Sequence, residues 1–316
     1  MEYRYLGHSG LQVSVVGLGC NNFGGRTDEA QSVEVVNTAI DLGINLFDTS
    51  DSYGNRGGSE EILGRALKGK RRDVIIASKF SSPMGDGPHW SGGSRRYIHD
   101  AIDASLRRLG TDYIDLYQYH FPDPHTPLEE TLRALDDLVR DGKVRYIGNS
   151  NFAPSQVVEA AWIAKTEHLT PFISAQNQYN LLERSIEKEL VPVCARYGLG
   201  ILPFFPLASG FLTGKHRPGQ PAQEGTRLAG PMGQRILNEG NYETLQKLEA
   251  IAERAGHTML ELAMSWLAQQ PQISSVIAGA TKPEQVKFNV ESVNWKLTPE
   301  DLAAIDEATL PKRSGR

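Results

Sequence analysis

Short apolar runs alternate with longer stretches of helical period along the whole chain. The runs Val15–Leu18, Ile44–Asp48, Val74–Ser78, Ile114–Tyr119, Val144–Ile147, Phe172–Gln176, Leu199–Phe205 and Ser275–Ala278 have the length of strands. Between them, Glu29–Leu42, Glu60–Leu67, Arg96–Leu109, Leu128–Arg140, Gln156–Thr166 and Ser185–Tyr197 carry amphipathic, helix-period patterns. Strand–helix alternation of this kind predicts parallel strands joined by crossover helices. Eight such strands fit a closed (β/α)8 TIM barrel, an α/β fold, better than an open sheet, and place residues 1–316 in one barrel domain. Ahead of the barrel, Tyr3–Leu6 and Gln12–Ser14 flank His8-Ser9-Gly10 and predict a β-hairpin that plugs one end.

Two segments break the rhythm. Pro83–Gly93 is rich in Gly and Pro, and Leu207–Asn241 holds many Gly, Pro and Gln residues before a helix resumes near Tyr242. Both follow predicted strands, so both are expected on the C-terminal face, where such barrels keep their active sites. They read either as lids or as plain surface insertions. Lys312–Arg316 is expected to be a short polar end.

Composition narrows the class. A net charge of −5 gives no footprint for nucleic acid or an anionic membrane surface. Cys20 and Cys194 are too few for a disulfide framework, and the histidines show no metal-ligand spacing, so no metal is expected. The start MEYRYLGHSG lacks the apolar core of a signal peptide, and no uncharged apolar run reaches the roughly 18 residues of a membrane span. The expectation is a soluble, cytoplasmic protein with reduced cysteines.

Candidate chemistry sits at the strand ends. The runs finish with Asp48 and then Tyr53, with Lys79, His120, Ser150 and Asn151, Gln176, and Phe205, all of which a closed barrel directs toward one mouth. Asp, Tyr, Lys and His brought together form a proton-transfer set: an ammonium favours phenolate, and a carboxylate holds the ammonium in place. Taken singly, each has a plainer role, with Asp48 a turn residue, Lys79 a solvated charge, Tyr53 a half-buried aromatic and His120 a structural histidine. Competing motifs are weak. Gly17-Leu18-Gly19-Cys20-Asn21-Asn22 starts like a dinucleotide fingerprint, but Asn22 stands at the third glycine, and there is no P-loop, HExxH or GxSxG.

Six ordered blocks resemble the aldo-keto reductase superfamily over essentially the full length. They are GINLFDTSDSYG (Gly43–Gly54), SLRRLGTDYIDLYQYHFPD (Ser105–Asp123), VRYIGNSNF (Val144–Phe152), SAQNQYNLLER (Ser174–Arg184), FFPLASGFLTGK (Phe204–Lys215) and VIAGATKPEQVKFNV (Val276–Val290). The chain looks most like the bacterial branch related to potassium-channel β-subunits. The resemblance implies reduction of small aldehydes or ketones with NADPH, with Tyr53 as general acid, Lys79 lowering its pKa, Asp48 paired with Lys79, and His120 orienting the carbonyl. It implies nicotinamide contacts at Ser150, Asn151 and Gln176, with Phe205, where the family usually has tyrosine, keeping the stacking face. Ser209, Gly210 and Leu212 match the loop over the pyrophosphate, with Lys215 nearby; Leu207 is a further cofactor-binding candidate, and Arg227, in the long loop, is a candidate for a second phosphate contact. Gly279, Thr281, Lys282, Gln285 and Asn289 match the adenosine end, Lys282 supplying the cation that favours NADPH. Gln285 stands where some members carry Arg, and Phe288 where many carry Glu. Glu60 matches the family but is expected to serve its helix start. Asn22, Phe23, Phe80, Trp90 and Phe121, with Cys20 and Asn21 nearby, are candidates for the substrate pocket. Two rivals stay in view: an NADPH-binding regulatory subunit with little turnover, and a barrel lyase or isomerase using Lys79 as a Schiff base. Monomer and homo-oligomer both remain open.

Overall fold

The computed structural model describes residues 1–222 and 224–310; the expected polar end at Lys312–Arg316 lies outside them. Among the described residues, β1 (Tyr3–Tyr5) and β2 (Gln12–Ser14) form an antiparallel hairpin, followed by eight parallel strands. These are β3 (Val16–Gly19), β4 (Leu46–Asp48), β5 (Ile75–Phe80), β6 (Ile114–Tyr119), β7 (Val144–Ser150), β8 (Phe172–Gln176), β9 (Gly200–Ile201) and β10 (Val276–Gly279). The sheet runs β10-β3-β4-β5-β6-β7-β8-β9. It curls shut through Ile201 N–H to Gln272 O (2.8 Å), Ser274 N–H to Ile201 O (3.1 Å) and Ile277 N–H to Pro203 O (3.1 Å). The chain is a (β/α)8 barrel, as its alternation predicted.

Eleven α-helices surround it among the described residues: α1 (Glu29–Asp41), α2 (Tyr53–Ala66), α3 (Arg95–Leu109), α4 (Leu128–Arg140), α5 (Pro154–Thr166), α6 (Leu190–Tyr197), α7 (Pro231–Ile236), α8 (Glu239–Arg254), α9 (Met259–Ala268), α10 (Pro283–Glu291) and α11 (Pro299–Thr309). Local chemistry sets many of their ends. Asp28 accepts from Gln31 N–H at the start of α1, Ser94 from Tyr97 N–H at the start of α3, and Gly110 closes α3 with φ of 63°. In α4, Glu129 and Glu130 lie in the first turn and Arg140 in the last, matching the helix dipole, while Leu132, Leu135 and Leu138 face inward.

Period-two alternation divides the strand side chains between two cores. Ile76 and Phe80 of β5 point outward, where the helices cover them with Phe47, Tyr117 and Tyr119. Ile75 and Ala77 point into the lumen, where they meet Leu46, Leu116, Leu202 and Ile277. The hairpin contributes Leu6 and Val13, both fully buried, to this inner cluster and so plugs the barrel at the strands' N-terminal end. Above the apolar layers the same inward face of β5 carries Lys79.

Several boundaries differ from expectation. The seventh run, Leu199–Phe205, shortens to Gly200–Ile201, because Pro203 and Pro206 have no N–H to continue a ladder. The run at Val144 extends to Ser150, and that at Val74 reaches Phe80. Ser185–Tyr197 breaks into one 3-10 turn (Ser185–Glu187) and α6. Leu207–Asn241 contains α7, and α8 starts before Tyr242, capped by Asn238. Glu60 is fully buried, accepting from Ser78 Oγ and from Arg108 Nε (2.7 Å), and ties α2 to β5 and α3. None of the described helices is long and apolar enough to cross a membrane.

Candidate active site

Lys79 comes up the lumen from β5 and is fully buried, so its ammonium must find every partner inside the protein. Its Nζ donates to Asp48 Oδ2 (2.7 Å) and to Thr49 O (2.8 Å), and lies 3.5 Å from the Tyr53 hydroxyl. The other oxygen of Asp48 accepts from Gln118 Nε2 (3.2 Å) and Gln176 Nε2 (2.8 Å), so side chains of four strands meet at one carboxylate. Burial opposes the Lys79 charge, but Asp48 and Tyr53 together outweigh it and raise the amine above its ordinary range. An ammonium held this firmly is the reverse of the free amine that a Schiff base needs, which counts against the lyase rival.

Tyr53 is presented by a sharp feature of the backbone. Gly54, Asn55 and Arg56 follow it with φ of 65°, 60° and 66°, a left-handed turn that non-glycine residues rarely adopt, before the right-handed part of α2 begins. Burial raises the phenol's pKa, Lys79 opposes that rise, and Asp48 adds to it, so the net direction is upward and the hydroxyl keeps its proton at neutral pH. The His120 ring stands edge-on to Tyr53 at 5.8 Å between centroids and stacks on Phe121 at 4.4 Å. Burial and the Lys79 charge depress His120 to about 3, so the imidazole is neutral. Its Nδ1 lies 3.3 Å from both Ser50 Oγ and Ser82 Oγ.

These groups open into a cavity of about 920 Å³ that runs from Asp48, Tyr53 and His120 to α10. Ser150, Asn151 and Gln176 line its middle, with Asn151 at φ of 60° so that its amide returns to His120 O at 3.0 Å. Phe205 also sits in the left-handed region (φ 55°), anchored by Asn180 Nδ2 on its carbonyl (2.9 Å), and its ring faces the cavity. Leu207, Ser209, Gly210 and Lys215 form one wall; Gly279, Thr281, Gln285, Phe288 and Asn289 form the far end. Arg227 reaches across with its guanidinium carbon 5.7 Å from the Phe205 ring centre, and its Nη2 donates to Asn21 Oδ1 (2.6 Å) and Asn22 Oδ1 (2.9 Å). A second strap joins Arg26 Nη2 to Gly225 O.

A model of the aldo/keto reductase family matches residues 15–309. The chain belongs to the aldo/keto reductase family. It is 36% identical to L-glyceraldehyde 3-phosphate reductase of Escherichia coli strain K12, over 97% of this chain and 92% of that protein. It is 36% identical to the aldo-keto reductase YhdN of Bacillus subtilis, over 97% and 93%. A Schizosaccharomyces pombe protein provisionally named a voltage-gated potassium channel subunit beta is 40% identical over 97% and 93%. Family membership and reductase relatives support an oxidoreductase acting on carbonyl compounds, a family that generally uses NAD(P)H.

In this aldo/keto reductase some expected pocket residues fall elsewhere. Phe23 and Phe80 are fully buried in the outer core; position parity on β5 turns Phe80 away from the lumen, where it stacks on Tyr117 and Tyr119. Leu212 is likewise core, and Cys20 is fully buried. Trp90 is 53% exposed on the Pro83–Gly93 loop and does not border the cavity. Lys282 is exposed at the N-cap of α10, outside the cavity wall. Asn22 and Phe121 do line the cavity. Sequence reasoning missed Gln118, which shares an inward face with His120 two residues on and was findable by parity, and Ser52, Ser82 and Asp51, for which it had no signal.

Proposed function

We propose that the protein reduces small aldehydes or ketones to alcohols with NADPH, and that Tyr53 is the general acid. The observation that carries this reading is the buried Lys79 ammonium, paired with Asp48 and 3.5 Å from the Tyr53 hydroxyl at the head of an elongated cavity. The cavity's dimensions and lining suit a dinucleotide: the Phe205 face for a stacked nicotinamide, the Ser150, Asn151 and Gln176 polar groups for its carboxamide, Lys215 and Arg227 as cations along the middle, and the start of α10 for the adenosine phosphate. Lys282, beside that end, favours the phosphorylated cofactor. When bound, the reduced nicotinamide supplies the electron pair. Tyr53, protonated at neutral pH, gives its proton to the carbonyl oxygen, and the phenolate left behind is matched by the Lys79 charge. Neutral His120 orients the same oxygen.

The test is a titration of NADPH and NADH read by quenching of tryptophan fluorescence, followed by a panel of carbonyl compounds. Tight NADPH and weak NADH binding is expected. Tyr53→Phe is expected to keep NADPH affinity within about threefold and to lose about 10²–10⁴ in kcat. An unchanged kcat in that variant would refute the assignment. A second reading, a cofactor-binding subunit with little turnover, is favoured by the relative named as a channel subunit; tight NADPH binding with no turnover across the panel would select it.

A further inference from the structure

Behind His120 lies a carboxyl group that the proposed chemistry does not use. Asp51 is 1% exposed, and it follows Ser50, whose hydroxyl stands 3.0 Å from Asp51 Oδ1, 3.3 Å from His120 Nδ1 and 3.0 Å from Ser52 Oγ. Resting on the reductase reading of the site, we propose that Asp51 is a positioning residue that sets, through the single proton of the Ser50 hydroxyl, which nitrogen of His120 carries its hydrogen.

The chain of donors leaves two consistent arrangements. An ionised carboxylate only accepts, so Ser50 gives it its proton and turns a lone pair toward Nδ1. The ring then carries its hydrogen on Nδ1, and Nε2, the nitrogen left for the cavity that the ring lines, is a bare acceptor. When Asp51 is protonated, its O–H donates to Ser50 Oγ, the Ser50 hydrogen turns to Nδ1, and the ring hydrogen sits on Nε2. Only the second arrangement offers an N–H to a carbonyl oxygen. Ser82 Oγ, also 3.3 Å from Nδ1, is a hydroxyl that shares the Nδ1 hydrogen as an acceptor in the first state and leaves the one Nδ1 lone pair to Ser50 in the second.

The surroundings keep this carboxyl poised. Burial, then the nearby Glu60 of α2, raise Asp51 to about 7, against the Ser50 hydrogen bond and Arg108 of α3, which favour the charged form. Tyr97 of α3 places its hydroxyl 3.5 Å from Asp51 Oδ2 while donating to Ser82 O at 3.1 Å, and Tyr117 of β6 also faces the group. His120 faces Lys79 and stays neutral, so across neutral pH the ring changes tautomer and not charge.

The experiment is nitrogen NMR of protein labelled with ¹⁵N-histidine, without cofactor, from mildly acidic to mildly alkaline pH, with His120 identified by the signals lost in His120→Gln. Wild type is expected to pass from Nε2–H to Nδ1–H with a midpoint near 7. Asp51→Asn, whose amide donates to Ser50 as the protonated carboxyl does, is expected to hold Nε2–H throughout, and Ser50→Ala to abolish the pH dependence. In turnover, kcat for reduction by wild type falls over the same range while Asp51→Asn stays level, exceeding wild type at the alkaline end by about tenfold. A wild-type tautomer that does not move, or an Asp51→Asn variant that titrates as wild type does, overturns the proposal. The spectra require no substrate, so an inactive protein would end the reductase reading while the tautomer result still decides the role of Asp51.

Discussion

Replacing Lys79 with methionine removes one partner of a buried ion pair and leaves the other. Methionine fills most of the volume of the lysine stem, so packing in the lumen changes little, but Asp48 Oδ2 loses the donor it holds at 2.7 Å. Asp48, 4% exposed, would keep only the amide donors of Gln118 and Gln176 on its other oxygen. Stranding one charge of a buried pair costs about 3–5 kcal/mol. Unfolding entropy of about 2.1 cal/mol/K per residue makes that a fall in Tm of roughly 4–8 °C for a chain of 316 residues. The double variant Asp48→Asn/Lys79→Met removes both charges and is expected to regain at least about 2 kcal/mol over the sum of the single losses. Its carbonyl reductase activity stays lost, because Tyr53 still has no cation beside its hydroxyl. Circular dichroism melts and initial rates on all four proteins complete the cycle. A Lys79→Met variant melting within about 1 °C of wild type, or strictly additive losses, would refute the argument that the two charges depend on each other.

Three further outcomes can be checked. Because the folded state holds a proton on Asp51 up to about 7 where an ordinary carboxyl gives it up near 3.8, this group lowers stability as pH rises through that window, by about 4 kcal/mol in all. The urea-unfolding free energy of Asp51→Asn relative to wild type should therefore grow with pH between these values, and a constant difference would contradict the shift. Gly64→Ala puts a Cβ 2.5 Å from Leu109 O, where α2 crosses the end of α3 and only backbone could yield; a loss of about 1–3 kcal/mol is expected in the same unfolding assay. Arg227→Ala cuts the strap to Asn21 and Asn22, and stopped-flow fluorescence should show NADPH leaving about tenfold faster; an unchanged off-rate would mean that the strap does not hold the cofactor.

The barrel was legible because its signal is repetitive: each short apolar run and each amphipathic stretch reports one unit, and errors at single boundaries do not add. Errors arose where the local pattern carries two meanings. Leu199–Phe205 is apolar throughout, yet its prolines end the ladder after Ile201. Met259–Ala268 is buried along most of its length, so α9 has no polar face to betray its period. Within the site, Asp48, Tyr53, Lys79 and His120 stood out because strand ends of a barrel converge, and the fold brings them together. Phe80 failed as a pocket residue for a reason visible in the chain: it is adjacent to Lys79, and neighbours on a strand face opposite sides. The Ser50–Asp51–His120 chain was hidden because its contacts join a loop to a residue 70 positions away through a hydroxyl, and no composition or period marks such a link.

Among the described residues, the hairpin closes the lower end of the barrel, and the cavity opens at the other end. Leu6 and Val13 close the floor against the apolar layers of Ile75, Ala77, Leu116 and Ile277. On the proposed mechanism, the proton that Tyr53 gives up returns from the mouth, through the space that substrate and product also use. Re-protonation and product exchange would then share one doorway, and a product slow to depart would also delay the recharging of the acid.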